Sequence, residues 1–152
     1  METLVRRLGR IFTLKNKDEE RNLSPRTLRR MDRLDRTLSG WLENKGWRIP
    51  VRTVGEAAER LGTDAGTLNG YFKLRVGMDF RTWRNRLRLE DAKRMLTEHP
   101  EMQAADIARL TGFSNRSNFA RQFLTYTGCT PVQWREKARM SHDSRAPEND
   151  YV

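Results

Sequence analysis

Apolar residues recur at intervals of three and four along most of the chain, and no stretch alternates apolar and polar positions for more than a few residues. This spacing is typical of α-helices packed on a core, so it predicts an all-α fold. The first clear helix starts at Ser24-Pro25, a capping residue followed by proline at the first helical position. It ends at Asn44-Lys45-Gly46, where we expect Gly46 to adopt the left-handed conformation that closes a helix.

Two segments of the chain share a pattern of small and large apolar residues. Each copy describes a short helix, a turn at glycine, a second helix and a closing glycine, which together indicate a helix-turn-helix. The alternative is a pair of helices that serves only as a scaffold. The matched positions are Ala58, Gly62, Leu68, Phe72, Gly77 and Trp83 in the first copy and Ala108, Gly112, Phe119, Phe123, Gly128 and Trp134 in the second.

One long linking helix is predicted between the two copies, over about 79–98. Its apolar residues lie on more than one face, as two subdomains packed on its two ends would require. At 1.5 Å per residue it spans about 30 Å. That length is close to the roughly 34 Å between successive major-groove faces on one side of B-DNA. Two recognition helices tied to its ends could therefore enter neighbouring turns of a duplex.

The pattern divides the chain into three parts. Residues 1–23 form an amphipathic and charged N-terminal segment, and residues 24–140 carry the paired helix-turn-helix units. Residues 141–152 are polar and are expected to form a disordered tail. Within the middle part, the first helix-turn-helix covers about 53–76 and the second about 103–127.

The chain is strongly basic, with 30 Lys and Arg against 20 Asp and Glu and a formal net charge of +10. This balance indicates attraction to phosphate on nucleic acid or on a membrane, or else a merely soluble basic protein. The single cysteine argues against a disulfide framework or a cysteine-rich zinc site and favours the cytoplasm. No P-loop, dinucleotide-binding or serine-hydrolase motif is present. We therefore expect a protein that is not an enzyme and uses no metal and no cofactor.

Residues 1–12 are basic and place their apolar side chains on one helical face. Such a segment can lie on a membrane, bind a partner, pack as an end helix on the body of the protein, or be the stub of a further domain. We favour the last two, followed by a charged linker over 15–22. No apolar run approaches the roughly 18 to 20 residues that span a bilayer, so no membrane partner is expected beyond the alternative at 1–12.

The second copy and the linking helix also resemble a known signature, that of the AraC/XylS family of bacterial transcription regulators. The resemblance covers about 28–139 and implies a DNA-binding domain of about seven helices that recruits RNA polymerase at promoters, most often as an activator. The residues that carry it are Phe80, Trp83, Arg88, Leu89, Ala92, Leu96, Ile107-Ala108, Gly112-Phe113, Ser117-Asn118-Phe119, Arg121, Phe123, Gly128, Thr130-Pro131 and Trp134-Arg135.

Two features depart from the family pattern. Many members carry a separate effector-binding or dimerisation domain, whereas about 24 residues precede the DNA-binding part here, too few for one. The chain is therefore expected to be either a small stand-alone regulator or a fragment of a longer one. Leu124 stands where members often carry Lys, which removes one phosphate contact from the second unit.

The second recognition helix points side chains suited to reading bases away from Phe119 and Phe123. Arg121 can donate two hydrogen bonds to guanine and Asn118 can pair with adenine, each contact discriminating by about 1–3 kcal/mol. The alternative for Arg121 is a phosphate contact or a solvated charge. The candidate residues of this helix are Arg116, Ser117, Asn118 and Arg121.

The first recognition helix offers less to a base edge, because Gly66 and Gly70 stand where the second copy has serine and arginine. We hypothesise an asymmetric reader in which the second unit supplies most of the sequence discrimination. The first unit would grip the DNA backbone through Lys73 and its helix N-terminus, with Asn69 as its main base-edge candidate. Alternatively, the two glycines admit close approach of the backbone to DNA, and the first unit reads shape. The candidates are Thr67, Asn69 and Lys73.

The predicted function is that of a sequence-specific transcription regulator, an activator, which inserts two recognition helices into successive major grooves of double-stranded DNA. RNA polymerase is a further candidate partner. The oligomeric state is open, and a monomer suffices for a long site. The alternative function is that of a non-enzymatic helical adaptor, whose repeat docks a protein and whose charge serves solubility.

Overall fold

The computed structural model describes residues 17–143. Over that range every regular element is helical and no strand occurs, which confirms the all-α fold class. A 3-10 turn and a π-helical turn, Gly46–Arg48 and Phe72–Val76, supplement the α-helices. The α-helices of the described residues are α1 (Lys17–Glu20), α2 (Pro25–Glu43), α3 (Val54–Arg60), α4 (Ala65–Tyr71), α5 (Phe80–Glu98), α6 (Ala104–Leu110), α7 (Arg116–Thr127) and α8 (Pro131–Asp143).

The chain divides into two compact units, and the boundary between them falls inside α5, after Arg86. The first unit contains α1 to α4 and the beginning of α5. The second unit contains the rest of α5 and α6 to α8. Each unit includes one short helix followed by a second helix across a glycine turn, at Gly62 and at Gly112. Both glycines have positive φ angles, 68° and 97°, which side chains disfavour.

The core of the first unit is built around aromatic rings. Trp83 of α5 is 1% exposed, stacks on Trp41 with ring centroids 5.6 Å apart, and lies 5.0 Å from the ring of Phe72. Leu38 of α2 and Leu68 of α4 are also fully buried in this unit. Large rings bury much area per residue, which lets a unit of modest apolar content hold its helices together.

The core of the second unit gathers the apolar faces of α5, α6 and α7. Phe119 and Phe123, four residues apart on α7, are both buried, so they fix which face of this helix is turned inward. Trp134 of α8 packs against this core with its ring centroid 6.1 Å from that of Phe123. The buried members are Leu89, Ala92, Met95, Leu96, Ile107, Ala108, Phe113, Phe119 and Phe123.

The end of α2 corrects the prediction for Gly46. The left-handed residue is Lys45, with φ 53°, and Gly46 instead begins the 3-10 turn. A Cβ atom on Gly46 would overlap the indole ring of Trp41. Glycine is therefore needed there because a ring lies against the backbone, and the sequence pattern alone could not show that contact.

Gly46→Ala is expected to lower the free energy of unfolding by about 2 kcal/mol, because the new methyl group must displace a packed ring. Urea denaturation of both proteins measures the difference. Gly40→Ala is the matched control, since a Cβ there meets nothing within 4 Å and lies inside α2. The control should raise stability by up to about 1 kcal/mol. Equal effects of the two substitutions would contradict the close approach at Gly46.

The start of α5 is capped by Asp79. Its carboxylate accepts a hydrogen bond from the backbone N–H of Thr82 at 2.9 Å and another from the Thr82 hydroxyl at 2.7 Å. These two bonds hold the pKa of Asp79 below its usual value. A lowered pKa in the folded state means that the contribution to stability is present above the unfolded pKa, about 4, and is lost as the pH falls through the folded pKa.

Asp79→Asn provides the test of this cap, because asparagine keeps an acceptor oxygen that does not titrate in this range. The stability advantage of the wild type over the variant should shrink by a few tenths of a kcal/mol between pH 5 and about pH 2, a small amount because the group is exposed to solvent. Urea denaturation at several pH values measures it. A difference between the two proteins that stays constant with pH would contradict a role for the charge.

The two ends of the chain lie partly outside the described residues. Of the predicted N-terminal segment and the basic face at 1–12, the structure describes only the part from residue 17 onward. There, α1 replaces part of the charged linker expected over 15–22, and Glu20 accepts a hydrogen bond from Arg75. Of the predicted tail, residues 141–143 belong to α8 and are not disordered.

Candidate nucleic-acid interface

In the second unit, α7 is the helix that follows the turn at Gly112 and carries the residues predicted to contact DNA. Asn115 caps this helix, since its side-chain oxygen accepts a hydrogen bond from the backbone N–H of Asn118 at 3.0 Å. Phe119 and Phe123 anchor the opposite face in the core. The cap and the two rings together determine which side chains of α7 are left at the surface.

The structure places the four predicted residues of the second unit together in the first two turns of α7. Arg116, Ser117 and Arg121 are exposed, and Asn118 is half-buried. Three of these side chains are thus open to a ligand that approaches the start of α7. Leu124, where we noted the missing lysine, is 46% exposed and adds an apolar patch on the same helix.

Asn118 is bonded to two neighbours on α7. Its side-chain oxygen accepts a hydrogen bond from Nη2 of Arg121 at 2.9 Å and another from Nε2 of Gln122 at 2.8 Å. Gln122 is not among the site residues predicted from the sequence. The signal was available, because residues four apart on a helix are neighbours and a Gln–Asn pair at this spacing forms hydrogen bonds.

The first unit presents α4, capped by Asp64. The carboxylate of Asp64 accepts hydrogen bonds from the backbone N–H of Thr67 at 2.8 Å and from its hydroxyl at 2.7 Å. Arg30 of α2 donates to the same carboxylate at 2.5 Å. The bonds from Thr67 and the charge of Arg30 lower the pKa of Asp64. The hydroxyl proton of Thr67 is therefore engaged in the cap, which limits it as a DNA contact.

The other two predicted residues of the first unit, Asn69 and Lys73, are exposed. Lys73 does not continue α4, however, because the π-helical turn starts at Phe72. The turn arises where the N–H of Gly77 bonds to the carbonyl of Phe72, five residues back, at 2.8 Å. A helical wheel with a constant step of 100° therefore misplaces Lys73 relative to Asn69.

The four arginines in the first half of α5 have different surroundings. Arg81 and Arg86 are exposed, whereas Arg84 is buried in the first unit and donates to the carbonyl of Ile49. In the second unit, Arg88 lies over the ring of Phe113, 5.7 Å from its centroid, and burial lowers its pKa to about 10. It is still charged at neutral pH. Two of these four residues are thus exposed enough to meet a phosphate.

The acidic residues of α5 are paired within the second unit. Glu90 accepts a hydrogen bond from Lys93 at 2.8 Å, and buried Asp91 accepts one from Arg94 at 3.0 Å. Lys93 and Arg94 are not among the residues predicted from the sequence to be functional. Their spacing of three along one helix is the local signal that identifies them.

Within residues 17–143, no group of three or more His, Cys, Asp and Glu side chains could hold a metal ion. In the same part of the chain, no helix is both long enough and apolar enough to cross a membrane.

The paired helix-turn-helix units, each with an exposed face on its second helix, define a DNA-binding protein of the helix-turn-helix class. Residues 57–137, more than half of the chain, match the family model described as a helix-turn-helix domain. The chain belongs to the AraC-type helix-turn-helix family of transcription regulators. The resemblance drawn from the sequence is thereby confirmed.

Two relatives are similar to part of the chain. An uncharacterized HTH-type transcriptional regulator of Staphylococcus aureus is 33% identical over 100 residues, 65% of this chain and 13% of that protein. The HTH-type transcriptional activator RhaR of Enterobacter sp. (strain 638) is 32% identical over 72 residues, 47% of this chain and 25% of that protein. The chain thus spans a small part of the length of these relatives.

The fold is also that of a transcriptional regulator from Chromobacterium violaceum with an AraC-type DNA-binding domain. The two structures superpose with a TM-score of 0.59 over 70% of this chain and 92% of the other, at 20% identity. At that identity, the likeness shows a shared fold and nothing finer.

Proposed function

We propose that this chain activates transcription by binding specific sequences of double-stranded DNA, with α7 and α4 inserted in successive major grooves, and that it catalyses no reaction. The observation that carries the proposal is the exposed group on α7, where Arg116, Ser117 and Arg121 lie in the first two turns around half-buried Asn118. Side chains of these types read base edges in a major groove, which admits an α-helix.

The length of α5 is compatible with the proposed mode of binding. Its 19 residues make a helix about 28 Å long. This length supports two recognition helices on neighbouring turns of B-DNA, about 34 Å apart. The net charge of +10 supports binding to phosphate over the whole site. A monomer then covers two groove segments without a second copy.

The role as an activator is supported by one relative. RhaR of Enterobacter sp. is named as a transcriptional activator, and the matched part of the present chain is 32% identical to it. An activator of this kind contacts RNA polymerase at the promoter, so we propose the polymerase as a second partner. Since bacterial promoters lie on the chromosome, we place the protein in the cytoplasm.

Binding to bacterial promoter fragments in excess sheared unrelated DNA tests the proposed function. We expect a small subset of fragments to be retained, and their affinity to fall with a log–log salt slope of about −5, for five or six neutralised phosphates. Retention of no fragment over the competitor would contradict sequence-specific binding and favour the helical adaptor. Binding to anionic liposomes that disappears on deletion of residues 1–12 would instead favour a membrane role.

Gly70 offers a test of how the first unit meets DNA. A Cβ atom there meets nothing within 4 Å, so the fold of the free protein does not require glycine at this position of α4. Gly70→Ala is therefore expected to raise the free energy of unfolding by up to about 1 kcal/mol. If the backbone of α4 lies close against DNA, the same methyl group should weaken binding to all sequences alike.

Urea denaturation and binding to a specific and an unrelated duplex measure the two effects of Gly70→Ala. Gly40→Ala on α2 is the control, since it also adds a methyl group in open space on a helix. Unchanged affinity of Gly70→Ala for both duplexes would show that the glycine does not serve close approach to DNA.

A further inference from the structure

The hydrogen bonds on the surface of α7 give Asn118 a position unlike that of its neighbours. Its single side-chain oxygen is the acceptor for both Arg121, three residues ahead, and Gln122, four residues ahead, at 2.9 and 2.8 Å. An amide oxygen has two lone pairs. Both are therefore used within the protein before any DNA is bound.

This arrangement is incompatible with the adenine contact that the residue type suggests. An asparagine that reads adenine accepts a hydrogen bond from the N6 amino group while it donates one to N7. With its oxygen engaged by Arg121 and Gln122, Asn118 has only its amide N–H groups to offer. The complete two-bond contact would require breaking at least one of the two intrahelical bonds, because adenine N6 needs one of the two lone pairs.

The same contacts leave Arg121 well equipped to read a base. A guanidinium carries five N–H donors in a rigid plane, and the bond to Asn118 uses one of them. Asn118 is in turn held by its own backbone N–H, which is bonded to the cap residue Asn115 at 3.0 Å. A chain of contacts thus runs from the helix cap, through Asn118, to the guanidinium plane of the exposed Arg121 side chain.

We propose that Asn118 is a positioning residue, which orients Arg121 and Gln122 toward the base edges and does not itself select a base. The inference rests on the proposed function and deepens it. It assigns one residue to hold the neighbouring side chains in place and two residues to contact the DNA bases. Orienting the guanidinium before binding lowers the entropy lost when the contact to DNA forms.

The base preference at each position of the bound site tests this division of roles. A random duplex library is selected in parallel with the wild type and with Asn118→Ala, Asn118→Asp, Arg121→Ala and the control Arg139→Ala, which removes one exposed charge from α8. Asn118→Asp keeps an oxygen that accepts from Arg121 and Gln122, but it lacks the amide donor that adenine N7 requires. The added negative charge is expected to lower the affinity for duplexes of every sequence by the same factor. This loss therefore cancels when the affinity for the preferred base pair is divided by the affinity for another base pair.

We expect Asn118→Ala to lower preference at the base pair read by Arg121 by about fivefold, the value of one side-chain hydrogen bond. Asn118→Asp should retain that preference within about twofold, because the acceptor is conserved. Arg139→Ala should leave this base pair unaffected, because Arg139 lies on α8 and not on α7. Thermal unfolding of each variant, followed by circular dichroism, shows whether a loss of preference accompanies a loss of structure.

Two results would overturn the inference and leave the proposed function standing. In the first, both Asn118 variants lose preference at a base pair that Arg121→Ala leaves unchanged, so Asn118 reads its own base. In the second, Asn118→Ala keeps every preference of the wild type. Selection of no motif by the wild type would instead overturn the proposed function, and the inference with it.

Discussion

Arg75→Met is expected to lower the free energy of unfolding by about 3 kcal/mol, because it leaves several carboxylates around a buried position without their cation. The side chain of Arg75 is 10% exposed and donates to Glu20 at 2.5 Å, to Asp32 at 3.1 Å and to Asp35. Burial alone would lower the pKa of Arg75, and the bonds to Glu20 and Asp32 outweigh it, so the pKa is raised.

The expected loss comes mostly from the least exposed members of this cluster. Glu20 is 17% exposed and would lose its charge partner, whereas Asp32 is 56% exposed and is largely screened by water. Asp35 also accepts a hydrogen bond from the hydroxyl of Tyr71, so the cluster joins α1 and α2 to the end of α4. Removal of the cation should therefore loosen the first unit around its recognition helix.

Urea denaturation of wild type and Arg75→Met measures this loss. Arg81→Met is the matched control, since Arg81 is exposed and the same substitution there should change stability by less than about 0.5 kcal/mol. A loss at Arg75 no larger than that at Arg81 would contradict a structural role for the cluster.

Arg121→Ala is expected to weaken binding to the preferred DNA site by about 5- to 150-fold, the equivalent of 1–3 kcal/mol for a two-bond contact to guanine. Its preference at one base pair should fall by a similar factor. Arg121 has this effect because it is exposed on α7 and its guanidinium is already oriented by Asn118. Titration of labelled duplexes that carry each of the four base pairs at that position measures the change.

The asymmetric reader predicts that Asn69→Ala relaxes base preference less than Arg121→Ala does. Asn69 is exposed, but it is flanked on α4 by Gly66 and Gly70, which offer no side chain to a base. Arg139→Ala on α8 is the control for loss of one exposed charge, and it should leave the base preference unchanged. A larger loss of preference in Asn69→Ala than in Arg121→Ala would contradict the asymmetry.

The helices and their buried faces follow from local patterns. The repeated glycines, of which Gly62 and Gly112 turn the chain at positive φ, and the pairs of large apolar residues four apart mark both recognition helices. Capping residues such as Ser24 and Thr53 mark helix starts, and the structure has both side chains bonded to backbone N–H groups. Each of these signals lies within a few residues of the helix that it marks, so the helices can be predicted from the sequence alone.

The features that could not be predicted from the sequence depend on contacts between residues that are far apart along the chain. Glu20 and Arg75 are 55 positions apart, and Arg30 and Asp64 are 34 apart, so no helical period relates them. The need for glycine at position 46 depends on where the ring of Trp41 packs, which only the fold determines. Interactions of this kind decide how firmly the recognition helices are held.

Selection from a random duplex library of about 30 base pairs tests the paired insertion of α4 and α7 most directly, because that length spans two or more major-groove turns. We predict a motif of two blocks whose centres are about one helical turn apart. One block should show the stronger base preferences, and these preferences should weaken when the same selection is made with Arg121→Ala. A single short block, or two blocks whose spacing varies freely among the selected duplexes, would contradict insertion of both helices by one chain.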